Sequence, residues 1–179
     1  MTHRAMPAEW DRHQATWLAW PHNVRDWRGK FAPIPWVYAE IIRHVSRGEK
    51  VRLLVNDAAH ERKARSVLKR AGVDATPVEM HRFPTDRVWT RDAGPIFVRG
   101  ASGKAIAHFR FNGWAKYPNW RRDNAAKSKI IGSQPLSGTW EPQTGEGRAM
   151  VLEGGGIDVN GQGLLLTCLL YTSPSPRDS

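Results

Sequence analysis

VRLLVNDAAHERKARSVLKRAG, residues 51–72, is the stretch that decides the fold class. Its first five residues form a short β-branched and leucine run bounded by polar residues, the pattern of a buried strand. Asn56 or Asp57 can then cap a helix by accepting a hydrogen bond from an N–H of its first turn. Ala64, Val67, Leu68 and Ala71 recur at three- and four-residue spacing and so share one helix face. Gly72 suits the left-handed stop beyond the last turn. Upstream, Pro35 opens a second helical pattern with Trp36, Val37, Ile41, Ile42 and Val45 on one face and Gly48 closing it. Before that, QATWLAW at residues 14–20 ends at Pro21 and reads as a strand. Residues 73–80 read as extended again. Strand, helix, strand, helix, strand is an α/β order.

The second half changes character. Residues 96–98 and 105–111 flank a turn at Ala101-Ser102-Gly103 and predict a hairpin. Residues 112–149 are rich in Gly, Pro, Asn and charge, and their pattern predicts no element. A strand is expected to start at 150–152. A second hairpin pairs 157–159 with 164–166, and Asn160-Gly161 suits the positive φ of a type I′ turn.

Composition narrows the classes. A length of 179 residues suits a single domain, and 40% hydrophobic with 25% charged content reads as globular. No apolar run approaches the roughly 20 residues that span a bilayer. The start, MTHRAMPAEWDRH, has no apolar signal core, so a cytoplasmic location is the default expectation. Cys168 is the single cysteine, which excludes an internal disulfide framework and a Cys-rich metal cluster. His81 and His108 do not stand at metal-ligand spacing, and neither a metal nor an organic cofactor is expected. The net charge of +10 raises the case for a polyanionic partner. The cations are scattered, however, and those at 62–70 fall on a solvated helix face. A basic nucleic-acid-binding module is therefore the rival reading, not the expected one; its patch of interleaved cations and aromatics is 114–129. Five of the nine tryptophans (Trp10, Trp17, Trp20, Trp27, Trp36) come early, which predicts a heavily packed segment.

Three stretches carry candidate chemistry: PTDRVWTRDAGPIFV at 84–98, FRFNGWAKYPNWRRD at 109–123 and LEGGGIDVNGQG at 152–163. Trp89 and Asp92 could hold a flat cation between an aromatic face and a carboxylate. Asp92 could equally form a plain surface ion pair with Arg91, and Trp89 could be a core residue. Glu153 precedes Gly154, Gly155 and Gly156, which permit close approach of backbone or ligand. The glycines lack the Lys-Ser/Thr of a phosphate loop, and no serine sits in a nucleophile elbow. The residues by themselves point to a binder of a planar cationic group.

PAEW..H.ATWLAWPHN at 7–23, WTRDAGP at 89–95, FNGWAKY at 111–117 and LEGGGIDVNG at 152–161 together resemble the agmatine deiminase / bacterial peptidylarginine deiminase family. The resemblance covers residues 7–167. It implies an α/β pentein fold, a five-module propeller of which this chain supplies about the first half. Members hydrolyse a guanidinium to a ureido group and ammonia; with agmatine the product is N-carbamoylputrescine, a step of polyamine metabolism. A cysteine thiolate attacks the guanidinium carbon to give a thiouronium intermediate, and a histidine is the general acid and base. By resemblance Asp92 grips the guanidinium, Glu153 is the active-site glutamate that supports histidine and substrate, and Trp89 is a pocket tryptophan. The histidine, a second aspartate and the cysteine lie downstream in the family, so the chain as given is expected to be inactive. The expected partner is a small cationic guanidino substrate, agmatine first and a peptidyl-arginine or other arginine derivative second. No membrane is expected, and the full-length protein is open to homo-oligomerisation. Two departures bear on substrate: Arg87 stands where several agmatine-specific members carry an acid, and Ala115-Lys116 replaces a double glycine. An added cation near the pocket would disfavour a dicationic substrate. Residues 168–178, CLLYTSPSPRD, resemble a translated sequencing adapter. The expected division is thus a partial deiminase domain at 1–167 and a non-native tail at 168–179, with Cys168 in the tail.

Overall fold

A computed structural model describes residues 4–100 and 102–167. The chain divides into two compact units: Arg12–Thr90 form one, and the residues on either side of it form the other.

The unit Arg12–Thr90 follows the α/β order read from its sequence. Strands β1 (Ala15–Ala19), β2 (Lys50–Leu54) and β3 (Val78–His81) alternate with helices α1 (Ile34–Val45) and α2 (Ala58–Arg70). The strands are parallel in the order β1-β2-β3, with Leu18 opposite Leu53 and Leu53 opposite Met80. Each helix supplies the crossover that a parallel pair requires. Trp20, Ile42, Val51, Leu53, Val55, Ala64, Leu68 and Val78 form the core. Fully burying a side chain such as Ile42, Leu53 or Leu68 stabilises by about 1.5–3 kcal/mol. Asp57 is the cap of α2, accepting from the His60 N–H at 2.7 Å, and Gly72 beyond the helix has φ +65°. Arg43 of α1 donates to the carbonyls of Ala71 and Gly72, satisfying acceptors the end of α2 leaves over.

Three expectations need correction here. Helix α1 buries Ala39 and Ile42, while Trp36, Val37 and Ile41 face outward. The apolar positions are too many for one stripe, and those off it stay exposed. The extended stretch after Gly72 becomes a strand only at Val78, after a turn in which the Asp74 carboxylate accepts from the Thr76 N–H. The early tryptophans do not form one packed cluster: Trp20 is buried, whereas Trp10 is 76% exposed.

In the flanking unit the predicted hairpin is present as β4 (Ile96–Gly100) and β5 (Gly103–Ala107), antiparallel, with β6 (Gly138–Trp140) parallel to β5. The segment without a predicted element contains helix α4 (Arg121–Gly132), which joins β5 to β6. Its inward face carries buried Asp123 and Lys127 beside Ala126 and Ile130. Those two charges interrupt the apolar stripe by which a helix is recognised. The last hairpin pairs β7 (Ile157–Val159) with β8 (Leu165–Thr167). Its turn is not a two-residue type I′ turn: the Asn160 side-chain oxygen accepts from the N–H groups of Gln162 and Leu164, and only the glycines take positive φ. The expected strand at 150–152 is a single bridge, Val151 to Arg110. Cys168 and the tail lie outside the described residues. Among the described residues no helix is long and apolar enough to cross a membrane.

Candidate functional site

Asp92 lies in α3 (Thr90–Ala93), a single helical turn. Its Oδ1 accepts from the Gly155 N–H at 2.9 Å, so the glycine turn of the third motif sits directly on the aspartate of the first. Burial raises the Asp92 carboxyl above its ordinary pKa, against the opposing pull of the Gly155 N–H and of Arg91. A Cβ on Gly155 would collide with Asp92 Oδ1, and one on Gly154 with the Arg91 carbonyl. This close approach explains two of the three glycines.

Arg91 fastens the same turn from the other side. Its Nε donates to the Gly154 carbonyl at 3.1 Å, its Nη2 to the Ile157 carbonyl at 3.5 Å and its Nη1 to Glu9 Oε1 at 2.6 Å. The plain Arg91–Asp92 surface pair weighed from the sequence is thus replaced by a clamp whose carboxylate partner is Glu9. Glu153 is 4% exposed and leads into the 3-10 turn Gly154–Gly156, closed by the Gly156 N–H on the Glu153 carbonyl at 2.9 Å.

The FNGW motif reaches the same edge. Arg110 bridges Val151 in parallel sense, with the Arg110 N–H donating to the Met150 carbonyl at 2.8 Å. Segments 111–114 and 152–154 therefore leave adjacent, co-directional backbone at one end. Helix α4 holds the first of them. Asn124 Oδ1 accepts from the Phe111 N–H at 3.0 Å, and the Lys127 ammonium donates to the Phe109 carbonyl. Burial pushes the Lys127 amine down to about 8, with Glu141 pulling the other way. Beyond Phe111 the chain turns sharply. Gly113 has φ +69°, and a Cβ there would meet the Tyr117 carbonyl at 2.9 Å. Trp114 and Ala115 also take left-handed backbone, with φ 59° and 51°. Trp114 stands edge-on to both Phe111 and Tyr117. Two successive non-glycine residues in that region cost on the order of 1–2 kcal/mol each.

In the unit Arg12–Thr90, Trp89 is 49% exposed at the end of the segment that follows β3. Arg87, two residues before it, is buried and paired with the Asp26 carboxylate. The expectation that Arg87 adds a cation near the pocket is corrected by this pair, because Asp26 cancels its charge. Of the three predicted site residues, Asp92 and Glu153 both belong to the flanking unit, where the N–H of Gly155, two residues after Glu153, donates to Asp92, and Trp89 belongs to the other unit. Sequence reading missed Asn124, Lys127 and Asp26. The one signal for them was polar residues at positions where a helix or turn faces inward.

Residues 5–176 match the family described as Porphyromonas-type peptidyl-arginine deiminase. An agmatine deiminase of Pseudomonas fluorescens is 33% identical over 181 residues, covering 96% of this chain and 46% of the relative. A solved structure of C. jejuni agmatine deiminase with substrate bound, a cysteine-to-serine variant, is similar with a TM-score of 0.75 and 28% identity. That match covers 94% of this chain and 47% of the other. An agmatine deiminase of Enterococcus faecalis shares the fold with a TM-score of 0.78 at 24% identity, over 93% of this chain and 45% of the other. The chain spans about half the length of the relatives it matches.

Proposed function

We propose that this chain, which belongs to the Porphyromonas-type peptidyl-arginine deiminase family, supplies the guanidinium-holding half of a deiminase acting on agmatine. The observation that carries the reading is the Asp92 carboxylate, half-buried and oriented by the Gly155 N–H. A carboxylate raised in pKa by desolvation gains most when a cation arrives to pair with it. One oxygen is aimed by the backbone, and the group accepts two parallel N–H bonds from a planar guanidinium. Glu153, buried in the adjacent turn, holds the substrate and the histidine that moves protons. Trp89 offers an exposed aromatic face to the cation.

The reaction is hydrolysis at the guanidinium carbon. A cysteine thiolate attacks, ammonia leaves with a proton from the histidine, and water then displaces the thiolate to give the ureido product. The cysteine, the histidine and a second aspartate belong to the remainder of a five-module pentein, in which residues 1–167 form a partial domain and 168–179 a foreign tail. The chain alone is therefore inactive, and ammonia release from agmatine by this polypeptide would refute that. Putrescine supply, a cytoplasmic setting and a homo-oligomer belong to the same proposal. A peptidyl-arginine or other arginine derivative is the second reading. It is favoured by Lys116, exposed on the turn of the FNGWAKY motif, whose charge suits a carboxylate and opposes a second ammonium.

The test is steady-state kinetics of the complete protein across pH. Asp92→Asn puts an amide donor against the substrate's own donors and is expected to cost about 2–5 kcal/mol in transition-state stabilisation. Glu153→Gln is expected to distort the pH–rate profile more than KM. A stability control separates function from folding. With its folded pKa raised above the ordinary 3.8, Asp92 binds more protons folded than unfolded between the ordinary and the raised value, so stability falls as pH rises through that interval. Asp92→Asn should therefore keep or raise Tm at neutral pH while activity collapses. Near-wild-type turnover on every guanidino substrate would remove Asp92 from the site.

A further inference from the structure

Residues 82–89, between β3 and α3, have no regular structure of their own, yet side chains from both neighbouring strand ends hold them. From the chain after β1, Asn23 Nδ2 donates to the Asp86 carbonyl at 3.4 Å and the Asp26 carboxylate pairs with the Arg87 guanidinium. From the chain after β2, Asn56 Oδ1 accepts from the Thr85 N–H at 2.9 Å. At the far end the Thr90 hydroxyl donates to the Trp17 carbonyl at 3.0 Å. Apart from the Trp17 carbonyl, which lies within β1, these groups lie beyond the carboxyl ends of three parallel strands, where open α/β sheets place their ligand-binding loops.

The ion pair is the unusual member. The Arg87 and Asp26 side chains are 8% and 5% exposed. Burial pushes the Asp26 carboxyl up, and Arg87 and His22 pull it back. A pair this dry gains little net stability, because desolvation consumes most of the Coulombic attraction. What a guanidinium fork does supply is direction, since its donors are fixed in one plane. Two residues on, Trp89 leaves the segment half-exposed.

We propose that Asp26 and Arg87 are positioning residues that fix the backbone carrying Trp89 and so hold its indole in one orientation for the substrate cation. The functional half of this statement rests on the deiminase reading; the structural half does not. On this account the WPHN block, which carries no chemistry of its own, belongs to the device that aims Trp89.

Hydrogen exchange read by mass spectrometry on the full chain tests the structural half. Arg87→Met and Asp26→Asn are expected to raise exchange in residues 84–90 at least tenfold while α2 keeps its protection. Arg87→Lys, which retains charge but loses the fork, is expected to give a smaller rise in the same segment, and it serves where the harsher variants fail to fold. Unchanged exchange at 84–90, or loosening of α2 to the same degree, would overturn the proposal and leave a merely structural pair. In the complete protein, Arg87→Lys is expected to raise KM for agmatine at least threefold with kcat little changed. Local loosening at 84–90 with an unchanged KM would overturn the link from the pair through Trp89 to substrate. If Asp92→Asn were also without effect there, the deiminase reading would fall separately.

Discussion

Helices α2 and α4 have similar lengths and opposite designs. The buried face of α2 carries Ala64 and Leu68, and the Asp57 carboxylate caps its start. That of α4 carries Asp123 and Lys127 as well as Ala126 and Ile130, and Trp120 at its start provides no side-chain cap. Helix α2 is thus held by apolar burial, which is strong but non-directional. Helix α4 adds directed bonds, from Asn124 to the Phe111 N–H and from Lys127 to the Phe109 carbonyl, and both lead into the FNGW turn. One helix closes a core; the other aims a loop. The two should respond to different perturbations.

The largest expected effect is on the apolar side. Leu68→Ala should cost about 2–5 kcal/mol by removing transfer energy and leaving a cavity. Denaturant titration measures it, and a loss under 1 kcal/mol would mean that α2 is not held by its core. Lys127 comes next, through pH. Burial pushes its amine down to about 8 in the folded chain, from the 10.5 ordinary for lysine that the unfolded chain is expected to keep. Between those values the unfolded chain holds more protons, so stability rises with pH across the window. The upper bound on the gain is on the order of 3 kcal/mol. Lys127→Met should abolish that rise and leave the Phe109 carbonyl without this donor, loosening the FNGW turn before α4 itself. A flat stability profile from pH 8 to 10.5 in the parent chain would contradict the burial of this amine.

The same contrast explains what could be read in advance. Strand β2 and helix α2 were legible because apolar periodicity, cap and glycine stop all agree within residues 51–72. Asp92 and Glu153 are proposed from their motifs, and the structure links the two motifs through the Gly155 N–H on Asp92. Helix α4 could not be found, because its inward Lys127 makes sense only beside the Phe109 carbonyl it serves, 18 residues earlier. Arg91 shows the same limit. Its neighbour Asp92 suggested a local pair, whereas its carboxylate partner Glu9 lies 82 residues away in sequence. Asn160-Gly161 was read as a two-residue turn because the Asn side chain's competing bonds to Gln162 and Leu164 leave no trace in the dipeptide.

The smallest effect sharpens the comparison at the loop that α4 aims. Ala115 has φ 51° and is exposed, so its left-handed backbone is not compensated by side-chain burial. The Ala115 N–H donates to Asn112 Oδ1 at 3.0 Å, and that bond fixes the turn whatever the side chain. Ala115→Gly would remove a penalty of about 1–2 kcal/mol for a Cβ in this region. It would add roughly 0.5–1 kcal/mol of unfolded-state entropy. The net expectation is a gain of up to about 1.5 kcal/mol, visible as a small rise in denaturation midpoint. The same change at Trp114, which shares the positive φ, should instead lose stability, because its ring contacts with Phe111 and Tyr117 go with it. Equal effects at the two positions would mean that the turn is set by backbone alone. Opposite signs would show that Trp114 is kept in a strained conformation for what its ring touches.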